Sequence, residues 1–141
     1  MYCSPQNYLH PIAAQCGGHV ILVARGLTYE WERMIVIKEL MHMLDGDKHA
    51  TDSGAKFETV LTELMLGGSA DRTPETDAEI RAAWRAIGLI CPEKIRKQYK
   101  ATRCPTGADD PEIAKALKVP VSYVGLMFGA NFENRLADVA D

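Results

Sequence analysis

Between Arg33 and Asp45 the sequence RMIVIKELMHMLD places apolar residues at helical spacing. Wound at about 100° per residue, Val36, Leu40, Met43 and Leu44 form one apolar stripe, which Met34, Ile37 and Met41 widen until little other surface remains. Lys38, His42 and Asp45 share the remaining strip, with Glu39 a quarter-turn away. The pattern predicts a largely buried helix over 32–45, starting near Tyr29 or Glu30 behind the N-cap residue Thr28. Ahead of it, Gly17-Gly18 signals a turn and His19–Ala24 (HVILVA) is a β-branched run suited to a strand. Behind it come a polar loop, Gly46–Ser53, and a second helix, Gly54–Leu66, capped by Asp52 or Ser53. That helix turns Phe57, Val60, Leu61 and Leu64 inward, carries Lys56 beside the stripe and Glu58 opposite it, and ends at Gly67-Gly68.

The rest of the chain reads as helices too. Residues 1–16 have no clear period and read as a loosely structured arm or a short helix near Ile12–Cys16. After the polar connection Ser69–Asp77, where Pro74 marks a helix start, Ala78–Leu89 sets Ile80, Ala83, Trp84 and Ile87 inward. Pro92–Ala101 turns Ile95 and Tyr99 inward and Lys94, Arg96, Lys97 and Lys100 outward. A turn-rich linker, Cys104–Asp109, leads to Asp110 as cap of Pro111–Lys118. After Val119-Pro120 a further helix begins near Ser122, with Val121, Val124 and Phe128 inward. The tail Asn131–Asp141 reads as a frayed, mildly acidic helix. Its predecessors, IAKALKVPVSYVGLMF, have the proportions of a helix-turn-helix. A DNA-reading helix needs Arg, Lys, Asn or Gln at base edges. This one offers Ser122, Tyr123, Gly125, Leu126 and Met127, which suits packing or an oligomer contact better.

Composition narrows the function classes. A chain of 141 residues with net charge −3 is long enough for one domain with a proper core and has no global attraction to nucleic acid. Locally, Arg81, Arg85, Lys94, Arg96, Lys97, Lys100 and Arg103 make 81–103 the most basic region, a candidate contact for phosphate or an acidic partner whose default is a solvated helix face. No apolar run is long enough to span a bilayer, and the N-terminus lacks a signal-peptide pattern. Cys3, Cys16, Cys91 and Cys104 are scattered without a CxxC pair, so reduced thiols in the cytoplasm are expected.

The chemistry concentrates in Lys38-Glu39-Leu40-Met41-His42. In an HExxH helix two histidines four apart bind zinc from one face while the glutamate polarises the zinc-bound water. Here lysine stands at the first histidine position. The competing account is an ordinary core helix whose polar residues face solvent or a structural ion pair. What favours the site is the order around it. Strand HVILVA, helix ERMIVIKELMHML, a polar loop and helix AKFETVLTELMLG resemble the ImmA/IrrE family of metallopeptidase-like proteins over residues 17–67. Thr62-Glu63-Leu64-Met65-Leu66-Gly67 is similar to that family's leucine-methionine-proline ending, with glycine for proline. A weaker echo lies in the helix-turn-helix-like end.

The resemblance implies an α+β, mainly helical fold: a zincin-like minimal core of short strands and an HExxH-type helix, then C-terminal helices. It divides one domain, 1–141, into an arm (1–16), the peptidase-like core (17–67), a basic helical pair (78–103) and the C-terminal helices (109–137). It places Glu39 on the family's general base, His42 on its second zinc histidine, Lys38 on its first, and Lys56 on its third ligand. A lysine ligates zinc only after losing its proton, and its ammonium repels the metal. No cofactor is therefore expected. Lys38 and Lys56 are expected to fill the site with charge paired to Glu39. The function implied is a degenerate, non-catalytic regulatory protein that binds a protein partner, as adaptor or antagonist of a transcriptional regulator in a phage or mobile-element circuit. One alternative is an active zinc metallopeptidase that cleaves a repressor, with His42 and His49 or Asp45 as ligands and Glu39 as base. Another is a small DNA-binding regulator using 81–103 and the last helices. A homodimer fits any of the three, and a membrane fits none.

Overall fold

In a computed structural model of the chain, the described residues are Tyr2–Cys3, Gln15, 20–45 and 73–139, with the side chains of Tyr2, Cys3, Met43 and Asp45 excepted. They are mainly helical. β1 (Tyr2–Cys3) and β2 (Val20–Ile21) form an antiparallel ribbon, pairing Tyr2 with Ile21 and Cys3 with Val20. The helices are α1 (Tyr29–Asp45), α2 (Pro74–Ile90), α3 (Glu93–Thr102), α4 (Asp110–Leu117), α5 (Val121–Met127) and α6 (Phe132–Ala137). The contacts divide the chain into two compact units. One comprises Met1–Val23 with Glu39–Ala82, the other Ala24–Lys38 with Ala83–Asp141. The helix read at Gly54–Leu66, its flanking loops and the residues Lys56 and His49 lie outside the described residues, as does most of the N-terminal arm.

Local chemistry explains where the helices start and stop. The backbone amide of Glu32 bonds the Thr28 carbonyl at 2.9 Å, the first turn of α1, and Glu30 and Glu32 complement its positive end. Thr73 opens α2, its hydroxyl accepting from the Thr76 amide at 3.4 Å, with Pro74 in the first helical position. Pro92 ends α2 and precedes α3. The Asp110 carboxylate, expected to cap α4, is instead gripped by Arg103 Nε and Nη2 at 2.7 and 2.9 Å. Asp109 takes the N-cap position, but its carboxylate turns back to the Cys104 amide. Lys118 closes α4 in the left-handed conformation at φ 55°.

Several expected faces are corrected. Of the strand read over His19–Ala24, Val20–Ile21 pairs with Tyr2–Cys3 from the arm, 22–24 lies outside any strand, and His19 is not among the described residues. On α2 the innermost row is Ala78, Ala82 and Ala86, with Ile87 and Ile90, while Ile80, Ala83 and Trp84 are half-buried. Small residues four apart let neighbouring backbone come close. On α5, Val124 and Met127 are fully buried, whereas Val121 faces solvent. Phe132 and Val139 are both buried, so the tail is anchored.

Within the second unit, Arg33 Nη1 donates to the carbonyls of Leu117 and Lys118 at 2.8 and 3.1 Å, satisfying the end of α4 from α1. Trp31 meets Tyr123 edge to face, as Trp84 meets Phe132 and Tyr99 meets Phe128. Gly88 is where α2 approaches α6: a Cβ there would lie 2.9 Å from Leu136 Cδ2.

Candidate functional site

The candidate site lies on α1, whose burial departs from the hydrophobic pattern at Glu39, Leu40, His42 and Leu44. Met34 faces inward, and so do Glu39, at 7% exposed, and His42, at 9%. Leu40 and Leu44, read as the inward stripe, are 41% and 69% exposed. Val36 is half-buried. Glu39 and His42 are thus buried and Lys38 is half-buried, as are Ile35, Ile37 and Met41. Burying ionisable groups is unfavourable unless partners satisfy them.

Each has a partner. His42 Nε2 stands 3.4 Å from Glu79 Oε1 on α2, a pair about nine-tenths and four-fifths buried. Lys38, half-buried, lies near enough to the Tyr123 hydroxyl of α5 for its charge to favour ionisation there. Burial is the larger influence on Tyr123 and pushes its pKa upward. Glu39 also has a polar partner. The boundary between the two compact units falls between Lys38 and Glu39. Glu79 was not singled out by the sequence reading. Its only signal was a carboxylate on the first turns of a helix otherwise read for its apolar face.

Among the described residues no three His, Cys, Asp or Glu side chains are grouped so as to hold a metal ion. Lys56, His49 and the Asp45 side chain lie outside those residues.

The basic region resolves into separate tasks. Arg85 Nε donates to the Val139 carbonyl at 2.8 Å. Arg96, expected outward, is 2% exposed: its guanidinium lies 4.7 Å over the Phe132 ring and pairs with Glu133. Arg103 holds Asp110 and lies over the Phe128 ring, the hydrogen bond to Asp110 raising its pKa. Arg81 is also engaged. Lys94, Lys97 and Lys100 remain on the exposed face of α3, Lys97 beside Glu93 at 2.6 Å, which lowers the Glu93 pKa.

The two described thiols differ. Burial pushes the Cys91 pKa up, which suits an inert core residue. A hydrogen bond with Thr106, Sγ to Oγ1 at 3.0 Å, brings the Cys104 pKa down. Among the described residues no helix is long and apolar enough to cross a membrane. No family model, curated protein or solved structure matches this chain.

Proposed function

We propose that the chain is a degenerate, zincin-like protein of the ImmA/IrrE type, acting without catalysis in the cytoplasm as a protein-binding regulator. Its partner would be a transcriptional regulator, held as by an adaptor or antagonist, in the mobile-element setting that the resemblance suggests. The observation that carries this reading is the burial of Glu39 and His42 on α1 while Leu40 and Leu44 are exposed. An ordinary core helix would bury Leu40 and Leu44 and leave Glu39 and His42 in water. A helix that once faced a metal would keep its polar strip inward after losing the ion, with new partners in place of zinc. Lys38 near Tyr123 and His42 against Glu79 are such partners. The exposed Leu40 and Leu44, four residues apart, provide apolar surface that suits a partner protein better than water.

Elemental analysis of protein purified without chelator tests this. The wild-type chain is expected to carry far less than one zinc per molecule, and a Lys38→His, Lys56→Glu variant to approach one. Stoichiometric zinc in the wild type, lost on His42→Ala or Glu79→Gln, would reinstate the active peptidase. A variant that gains no zinc would mean that Lys56 is not the counterpart of the third ligand.

A further inference from the structure

α6 (Phe132–Ala137) is too short to be a helix by itself, because the entropy lost in starting a helix outweighs the few hydrogen bonds it gains. It depends on the seat it occupies on α2 and α3, and Trp84, Arg85, Gly88 and Arg96, which make that seat, lie in the same compact unit as α6. Phe132 meets Trp84 edge to face and lies under the Arg96 guanidinium. Glu133 pairs with Arg96. Leu136 fills the space over Gly88. The Val139 carbonyl accepts from Arg85 Nε. The seat therefore reads a pattern: an aromatic ring, a carboxylate beside it, and leucine one turn on.

Arg96 sets this seat apart from ordinary core. A seat for an apolar segment needs no guanidinium, yet Arg96 is 2% exposed and its Nε has no hydrogen-bond partner. A buried charge that adds little to stability can still select what docks, since a segment without a carboxylate leaves it unpaired. The answering carboxylate comes from the solvent side, as the Glu133 side chain is 70% exposed. The link from α5 is held by long backbone bonds, Gly129 to the Leu126 carbonyl at 3.3 Å and Phe132 to the Gly129 carbonyl at 3.2 Å. We propose that α6 is a strap that swings off its seat about Gly129–Asn131, and that the vacated seat binds the same pattern on another protein. The partner segment is an amphipathic helix with an aromatic–acid pair and leucine one turn later, and α6 is its tethered competitor. The inference stands without the peptidase-like reading, because none of these residues belongs to Lys38–His42.

Native-state hydrogen exchange on the full chain tests the strap. The amides of Arg135 and Asp138, bonded to the Asn131 and Asn134 carbonyls, are expected to exchange at least about a hundredfold faster than those of Ala86 and Ile87 within α2. Equal protection of the two sets overturns the proposal. The seat is tested by fluorescence anisotropy with a fluorescein-labelled peptide of residues 130–139, ANFENRLADV. Leu136→Asp in the full chain weakens the resident strap and is expected to raise affinity for the peptide at least about tenfold over the wild-type chain. Toward that variant, Glu133→Gln in the peptide is expected to weaken binding about tenfold, and Arg96→Met in the chain to erase the difference between the two peptides. A Leu136→Asp chain that unfolds as a whole would make α6 part of the core and overturn the proposal. So would a folded one that binds neither peptide, or binds both alike.

Discussion

Arg96 has a place in α3 that helical spacing alone assigns to the outward lysines. Burying it is feasible because a guanidinium is more weakly hydrated than an ammonium and spreads its charge over a plane that lies flat on an aromatic ring. Phe132 supplies the ring and Glu133 the counter-charge, yet Nε is left without a hydrogen-bond partner. Since Glu133 is itself exposed, removing the arginine strands no buried carboxylate. Arg96→Met, which keeps most of the volume, is therefore expected to fall within about 1 kcal/mol of the wild type in urea unfolding. Arg96→Ala, which leaves a hole beside Phe132, is expected to lose about 2–4 kcal/mol. A methionine variant as damaged as the alanine variant would show that the charge, rather than the bulk, matters. His42 teaches a related lesson. Its type and spacing mark it as chemical, but nothing local identifies Glu79, 37 positions later, as its neighbour.

For whole elements, starts and stops were legible and inward faces were not. Thr28, Pro74 and Pro92 mark helix boundaries through capping and proline geometry, which depend on a few adjacent residues. Which face of α1 turns inward depends on what packs against it, and with apolar residues on nearly every side its hydrophobic pattern carries little directional information. The turn between α4 and α5 shows a local cost accepted for the sake of packing. Lys118 adopts a left-handed conformation suited to glycine, partly offset by its ammonium over the Tyr29 ring, 5.8 Å from the centroid. The conformational penalty of about 1 kcal/mol exceeds an exposed cation–π contact of about 0.5 kcal/mol. Lys118→Gly is thus expected to stabilise the chain by about 0.5 kcal/mol in thermal or urea unfolding, and Lys118→Ala to bring no such gain.

At the scale of the molecule, the charge pattern of 81–103 reads differently once its arginines are placed. Arg85, Arg96 and Arg103 are engaged within the chain, which leaves Lys94, Lys97 and Lys100 as the outward cations of that region. If α3 binds duplex DNA at all, the logarithmic dependence of affinity on salt should be no steeper than about −3, as few phosphates would be neutralised. A steeper slope would require a larger cationic surface than α3 supplies. By itself the sequence determined what depends on near neighbours: mainly helical character and several of the described helix boundaries. Only the tertiary structure decided the pairing of Tyr2–Cys3 with Val20–Ile21, the inward turn of Glu39 and His42, the meeting of His42 with Glu79, and the burial of Arg96. These contacts join positions far apart in the chain, and their stability comes from desolvation and packing that no single stretch of sequence contains.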